Sequence, residues 1–499
     1  MDILHYDLCV IGGGINGAGI ARDAAGRGLS VLLIEEGDLA GATSSASTKL
    51  IHGGLRYLEY REFLMVHQAL KERETLLRNA PHLIYPIECV LPVDHDVRPR
   101  WMLRLGVWLY DHLGGKKTVA PSRFVDCGAD GICRPLNEGY EEAVIYSDCW
   151  GDDTRLVVMN AVDAAARDAK ILTHTRCCSL SVFDGRWKVG LRDMRSGDVL
   201  DVTASMVVNA TGPWVGQFLS EMGVGLKDPD LPTVRLVKGS HLIFHKLYDG
   251  DQTYVLQQPD GRIVFVSPYE GQYTLVGTTE EDYDGIPRDA RISDQEMEYL
   301  CAAVNDAFKK QVKPTDAIFS FSGVRPLLDD GQESASEVSR DYLIYHHTRS
   351  EAPLLSIFGG KLTTYRALSE DVVDRLMQVS GRSARGWTAD LPLMGGDFEG
   401  LSYYKFLSAK RAEYSWLPES LLVRYVRSYG TCMGCILHGA ESLDDLGEYF
   451  GDSVYEAELS YLKNYEWASS AEDVVWRRSK LGLHISEDTL SKIDAYFSG

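Results

Sequence analysis

The 499-residue chain is short of positive charge. It carries 51 Lys and Arg against 72 Asp and Glu, a formal net charge of −21 at pH 7. Phosphate polymers are bound through a basic footprint, so nucleic acid is not an expected partner, whereas one small anion in a local basic pocket is still allowed. Long apolar runs are missing too. No stretch of about 18 apolar residues occurs, so no transmembrane helix is expected. The first strand-like run starts at Tyr6, which leaves no room for a signal peptide. A cytoplasmic protein, at most lying on a membrane surface, is therefore expected. Cysteine is scarce and scattered, with 10 residues and one adjacent pair, Cys177 and Cys178. That is no secreted disulfide framework, and it fits a reducing compartment. Cys432 and Cys435 form a lone C-x-x-C with only His438 nearby; zinc takes about four ligands, so no metal site is expected. Repeats and low-complexity tracts are also lacking. What is there is ordinary for a soluble enzyme, 45% hydrophobic and 25% charged, and long enough for more than one domain.

The N-terminus is the most legible part. "LCVIGGG", "NGAGIARDAAGRG" and "SVLLIEE" read as strand, glycine-rich turn with small-residue helix, and second buried strand, the βαβ unit of a parallel sheet. Gly12, Gly14 and Gly17 make G-x-G-x-x-G directly after the first strand. In this context Gly12 allows the tight turn, Gly14 lets a phosphate approach the backbone, and Gly17 lets helix and strand pack closely. The helix N-terminus offers free N–H groups and a positive dipole end to a pyrophosphate. Glu35 closes the second strand, where a carboxylate bonds ribose hydroxyls and disfavours the extra phosphate of NADP. The fingerprint does not separate NAD from FAD. Two later stretches favour FAD. "SMVVNATGPW" ends a buried strand in small residues, including Ala210 and Gly212, and lets backbone lie against a flat cofactor. "SIFGGKLTTYR" puts Gly360, Lys361, Leu362 and Thr363 at a strand-to-helix junction. A helix N-terminus beside the N1–C2=O edge of a flavin stabilises the anionic reduced ring.

Further on, "TYVLQQ", "RIVFVSP" and "YTLVGTT" read as strands joined at Asp260-Gly261 and Glu270-Gly271, both hairpin signals. They predict an antiparallel sheet in a second domain. "ISDQEMEYLCAAVNDAFKKQ" opens with Ser293 and Glu296, a capping-box pattern that predicts a helix. From about Ser383 the chain lacks convincing strands, and a boundary is expected near Gly381 to Gly386. "RPRWMLRLGVWLYDHLGGKK", residues 98–117, places Trp101, Leu105, Trp108 and His112 at helical spacing among Arg98, Arg100, Arg104, Lys116 and Lys117. This is the composition of an interfacial helix meeting anionic lipid; a core helix with exposed arginines has the same spacing.

"DLCVIGGGINGAGIARDAAGRGLSVLLIE", "TSSASTKLIHGGLRYLE", "YSDCWGDDTRL", "VNATGPW", "KGSH", "SGVRPL", "RDY" and "FGGKLTTYR" occur in that order. The set resembles the FAD-dependent glycerol-3-phosphate dehydrogenase family, in its aerobic, respiratory bacterial form, over nearly the whole chain. The resemblance implies an α/β fold: an FAD-binding Rossmann-like domain with an antiparallel-sheet substrate domain of the glycine oxidase/D-amino-acid oxidase type, and an all-α C-terminal cap. The core would span residues 1–385, with the FAD-binding part at 1–80, 140–235 and 320–385 and the substrate sheet at 81–139 and 236–319. The cap would span 386–499. It implies oxidation of sn-glycerol 3-phosphate to dihydroxyacetone phosphate, by hydride transfer from C2 to flavin N5, with electrons passed to ubiquinone or another membrane quinone. It also implies peripheral attachment to the inner face of the cell membrane and a homodimer.

Carried onto this sequence, Arg56 and Arg325 match the phosphate-binding positions, and an arginine fork suits a dianion. Tyr57 donates a further hydrogen bond. Lys361 and Arg340 are additional cations near substrate and cofactor. The C2 hydroxyl proton needs an acceptor, for which His52 and His241 both stand as candidates, and Arg325 is counted with them as catalytic. Ser44, Ser45, Ser47, Thr48 and Lys49 follow the second strand and so pass the flavin. Two other readings share these residues: a glycerol-3-phosphate oxidase that uses oxygen, and a non-catalytic FAD-holding protein.

Overall fold

The computed structural model describes residues 4–93, 99–115, 118–225, 228–329 and 341–498. The apolar run at the N-terminus forms the strand His5–Ile11, buried over its last four residues. Strands of a parallel sheet covered on both faces read as continuous apolar runs. Across this sheet the order is Tyr342–His346, Leu354–Gly359, Val199–Asn209, His5–Ile11, Val31–Ile34 and Lys170–Leu172. All neighbours are parallel except the first pair. An antiparallel hairpin, Thr175–Phe183 with Arg186–Asp193, extends from Val199–Asn209.

Five helices matter for the site: α1 (Ile15–Gly26), α2 (Phe63–Asn79), α3 (Arg100–Leu113), α4 (Asp153–Ala165) and α5 (Tyr365–Val379). α1 packs against both α4 and α5, and its alanines and glycines let them approach closely. α4 starts where the Asp152 side chain accepts from Arg155 N at 3.1 Å, an N-cap that satisfies one orphan donor of the first turn.

The second sheet runs Glu281–Asp282, Val234–His245, Tyr273–Gly277, Ile263–Tyr269, Thr253–Gln257, Ile84–Pro92, Glu142–Gly151 and Leu50–Ile51. The two hairpins expected at Asp260-Gly261 and Glu270-Gly271 are present. So is the capping box of the helix Asp294–Ala307, in which Glu296 N donates to Ser293 Oγ and Ser293 N to Glu296 Oε2. Phe319–Leu328 pairs with Val234–His245 from Leu328↔Val234 to Phe319↔Ile243. Three boundaries need correction. Leu50–Ile51, Glu142–Gly151 and Phe319–Leu328 belong to this sheet, although residues 1–80, 140–235 and 320–385 were expected in the FAD-binding part. Leu50–Ile51 and Phe319–Leu328 pair with strands far away in sequence, and Glu142–Gly151 also pairs with the preceding strand Arg123–Asp126, a short strand that no hairpin signal announces.

Residues from Phe398 to Ile493 build a separate hydrophobic core. Its main helices are Tyr403–Glu413, Glu419–Tyr429, Glu456–Tyr465 and Glu487–Ser498, with a two-stranded ribbon, Tyr449–Gly451 with Val454–Tyr455, added to the expected all-α cap. This region is tied to the rest by buried charge. Arg155 of α4 forks onto Glu466, with Nη2 2.8 Å from Oε1 and both side chains fully buried. Cys127 and Cys133 form a disulfide, the other eight cysteines are free thiols, and no metal-holding cluster occurs among the described residues. Among the same residues no helix is long and apolar enough to cross a membrane.

Candidate active site

The glycine fingerprint is a cradle that side chains would fill. A Cβ on Gly12, whose φ is +111°, would lie 2.5 Å from Ala210 O, and one on Gly17 would lie 1.9 Å from Gly12 O. Gly12 therefore meets the end of the strand Val199–Asn209 backbone to backbone, where the small residue at 210 was expected. Glu35 accepts from Gly13 N at 2.6 Å and Gly37 N at 2.8 Å. Burial pushes its carboxyl up against the pull of these two donors. Asn16 donates to Gly359 O at 3.4 Å, while its Oδ1 is buried with no hydrogen-bond partner. Such an orphan acceptor at the mouth of the α1 dipole fits a polar ligand there. A dinucleotide suits this set: pyrophosphate over the N-terminus of α1, ribose at Glu35.

A cavity of about 830 Å³ lies against the second sheet and is reached by Ile15 of α1 and by residues 360–363. The segment after the second strand forms one wall, with Thr43, Ser44, Ala46, Ser47 and Thr48 lining it. Ser44 Oγ accepts from Ile15 N at 3.0 Å, which ties this wall to the first turn of α1. Gly360, Lys361, Leu362 and Thr363 line the same cavity from the strand-to-helix junction before α5. His52, Arg56, Tyr57 and Arg325 complete the group that the sequence brought forward and the fold brings together. Lys361 Nζ sits 4.1 Å above the Tyr57 ring, a cation–π contact, and 3.0 Å from Met65 Sδ. Arg56 lies over Tyr60 at 5.6 Å. Arg325 donates to Thr278 Oγ1 at 3.1 Å and stands 3.7 Å from Glu280 Oε1. His52 N donates to Thr363 Oγ1 at 3.3 Å, joining the two cofactor-side walls.

Other expected residues stand elsewhere. His241 is 1% exposed and does not line the cavity. Its Nε2 is 3.0 Å from Thr48 Oγ1, its ring stacks on Phe321 at 4.8 Å, and Nδ1 has no hydrogen-bond partner. Burial first, then the charges of Lys49 and Arg325, hold it well below the ordinary imidazole range, so it is neutral near pH 7. Lys49 turns away from the cavity. Its ammonium bonds Ser45 O at 2.6 Å and Asp153 Oδ2 at 2.5 Å. Burial, opposed by Asp153, pushes it down to about 8. Ser45 donates to Ala42 O and lines a smaller adjoining pocket. Gly212 opens a short turn after Asn209 with a φ of +57°. Arg340 lies outside the described residues, as do Arg98, Lys116 and Lys117.

Sequence reasoning missed Asp153, which gathers Lys49 and Ser47, and the cavity residues Gln257, Thr278, Glu280 and Phe265. It also missed Gly239. A Cβ there would lie 2.6 Å from Arg325 Nη2, so this glycine makes room for the guanidinium. The signal was present: a glycine inside a strand marks a close approach, and "KGSH" carries one.

The model of the FAD dependent oxidoreductase family matches residues 7–366, and the chain belongs to that family. Its cofactor is FAD. Within the family the motif resemblance to the aerobic glycerol-3-phosphate dehydrogenases holds over the whole chain. The chain is 44% identical to the aerobic glycerol-3-phosphate dehydrogenase of Escherichia coli K12, covering 98% of its own length and 97% of that protein. It is 46% identical to the D-erythritol 1-phosphate dehydrogenase of Brucella abortus, covering 96% and 95%. The crystal structure of the glycerol-3-phosphate dehydrogenase from Bacillus halodurans complexed with FAD matches with a TM-score of 0.78 at 28% identity, over 99% of this chain and 91% of that one.

Proposed function

We propose that this enzyme oxidises sn-glycerol 3-phosphate to dihydroxyacetone phosphate. The observation that carries the reading is the meeting of Arg56, Lys361 and Arg325 in one cavity whose other wall is the cofactor-side segment. With Arg61, which lines the same cavity, four cations stand against the carboxylates of Glu59, Asp148 and Glu280 and make, in a chain of net charge −21, a local site for a phosphate dianion; the arginine forks suit it in geometry as well as charge. Bound FAD supplies the acceptor for the hydride that leaves C2. The residues hold the phosphate, orient C2 and take the hydroxyl proton. His52 lines the cavity and is the acceptor of that proton; His241, neutral behind Thr48, fixes the Thr48 hydroxyl. The test is anaerobic addition of glycerol 3-phosphate to the purified holoenzyme. Prompt bleaching of the flavin absorbance is expected, and an unchanged spectrum refutes the reading.

The electrons go to a membrane quinone. α3 supports this reading: Trp101 and Leu105 line the cavity and are 68% and 48% exposed, so the cavity opens beside an apolar surface. Quinone reduction without peroxide is expected, whereas peroxide in stoichiometric yield identifies an oxygen-using oxidase. The same face of α3 attaches the enzyme to the membrane surface. The assembly is a homodimer, which sedimentation of the purified protein checks.

A second substrate reading, D-erythritol 1-phosphate, rests on the Brucella relative, whose identity of 46% exceeds the 44% to the aerobic enzyme. The ratio of kcat/KM for the two phosphates decides between them.

A further inference from the structure

Three basic residues of the C-terminal region cross into the cofactor side of the molecule. Arg477 and Arg478 end one wide helical turn, Asp473–Arg478, after which Ser479 N reaches back to Val474 O at 2.9 Å, and Lys480 follows it. Arg478 is fully buried and forks onto Asp38, with both bonds at 2.7 Å; Arg477 Nε adds a third at 2.5 Å. Lys480 Nζ is 3.1 Å from Asp153 Oδ1. The other oxygen of Asp153 accepts from Lys49 Nζ, from Ser47 Oγ at 2.7 Å and from Ser47 N at 3.2 Å.

These contacts fall on the two ends of one segment, residues 38–49, whose middle lines the cavity. Asp38 starts it, and Asp153 grips Ser47 and Lys49 at its finish. Both ends contain a non-glycine residue in the left-handed region, Ala40 at φ +59° and Lys49 at φ +62°. L-residues adopt that conformation at a cost and keep it when the surroundings over-determine it. Ala40 N donates to Gly13 O at 3.1 Å and Lys49 N to Ser47 Oγ at 3.0 Å, and the cations of residues 477–480 add to these surroundings through Asp38 and Asp153. A clamp serving only to attach one domain to another would end on carboxylates of the helix surface. Here both carboxylates pass the restraint on to the cofactor wall.

We propose that Lys480 and Arg478, assisted by Arg477, are positioning residues for FAD: the C-terminal domain holds the cofactor-lining segment in its binding shape. The holoenzyme carrying Lys480→Met keeps the length of the side chain and loses the charge. FAD dissociation is followed by the recovery of flavin fluorescence after dilution, beside the thermal midpoint of the apoprotein and KM for glycerol 3-phosphate. The off-rate is expected to rise by about tenfold, the scale of one charge-assisted hydrogen bond, to return towards wild type in Lys480→Arg, and to leave KM nearly unchanged. A wild-type off-rate in Lys480→Met, or an elevated one that Lys480→Arg shares, overturns the proposal whatever the melting temperature does. Should Lys480→Met fail to fold, Arg477→Gln carries the same test on a side chain that is 14% exposed: a faster off-rate supports the clamp and a wild-type rate overturns it.

Discussion

At the scale of single residues the site is a division of labour between glycine and charge. Arg325 reaches the cavity because position 239 has no side chain, and Arg56 and Lys361 are set by aromatic rings beneath them. Replacing Arg56 or Arg325 by alanine is expected to lower kcat/KM for the phosphate substrate by about 10- to 100-fold, mostly through KM, since a hydrogen bond to a charged group contributes about 1.5–3 kcal/mol. FAD content, read from the absorbance ratio, stays at the wild-type level; wild-type kinetics in both variants refute the assignment. His52→Asn acts differently. It leaves phosphate binding in place and removes the proton acceptor, so kcat is expected to fall by about 10²- to 10⁴-fold while KM holds. Arg56, Arg325 and His52, which the fold brings to one cavity, stood out because each lies in a short aperiodic stretch beside glycine, whereas His241 stood out for the same reason and is buried outside that cavity. Asp153 did not stand out: it sits in "WGDDTRL" and looks like an ordinary helix start, and its role depends on lysines at positions 49 and 480 that only the fold brings near.

At the scale of elements, α3 carries both a core side and an exposed apolar side. Leu103, Val107 and Tyr110 are buried against the second sheet, while Trp101, Leu105 and Trp108 stay exposed. The helix therefore has two apolar faces, and one is exposed among the described residues. Its cations are less free than the sequence suggested. Arg100 pairs with Glu142, and both Arg100 and Arg104 lie over Phe124. Attachment should accordingly depend more on the tryptophans than on the arginines. Trp101→Ser with Trp108→Ser is expected to reduce co-sedimentation with vesicles of anionic lipid by about tenfold, because two large apolar side chains bury into the interface. Charge removal at Arg104 acts weakly and only at low salt. Equal binding by the double variant counts against the membrane role. The hairpins and the capping box were readable because their signals are local. The sheet membership of Phe319–Leu328 was not, because its pairing with Val234–His245 over long range leaves no mark on composition.

At the scale of the whole molecule, burial of histidine sets the acid limit. His82 is pushed down to about 3 by burial, with Arg155 and Arg427 adding to it, and His347 to about 4, chiefly by burial. His241 moves in the same direction. A folded value below that of the unfolded chain means that the unfolded state takes up protons first, so stability is full above about pH 6.5 and is lost as the pH falls below it. At pH 5, His82 and His347 each account for about 2 kcal/mol. Urea midpoints at pH 7 and pH 5 should separate by more than carboxylate titration explains, and equal midpoints refute this account. The order of the cofactor sheet also has a consequence in time. His5 lies beside Thr203, 198 residues further along, and Val207–Asn209 waits in turn for Leu354–Ser356. At a synthesis rate of about 5–20 residues per second, the first strand spends roughly ten to forty seconds with only Val31–Ile34 paired to it and its other edge open. The clamp at residues 477–480 is made long after the segment it holds, so fragments that stop before it lack that restraint on the cofactor wall.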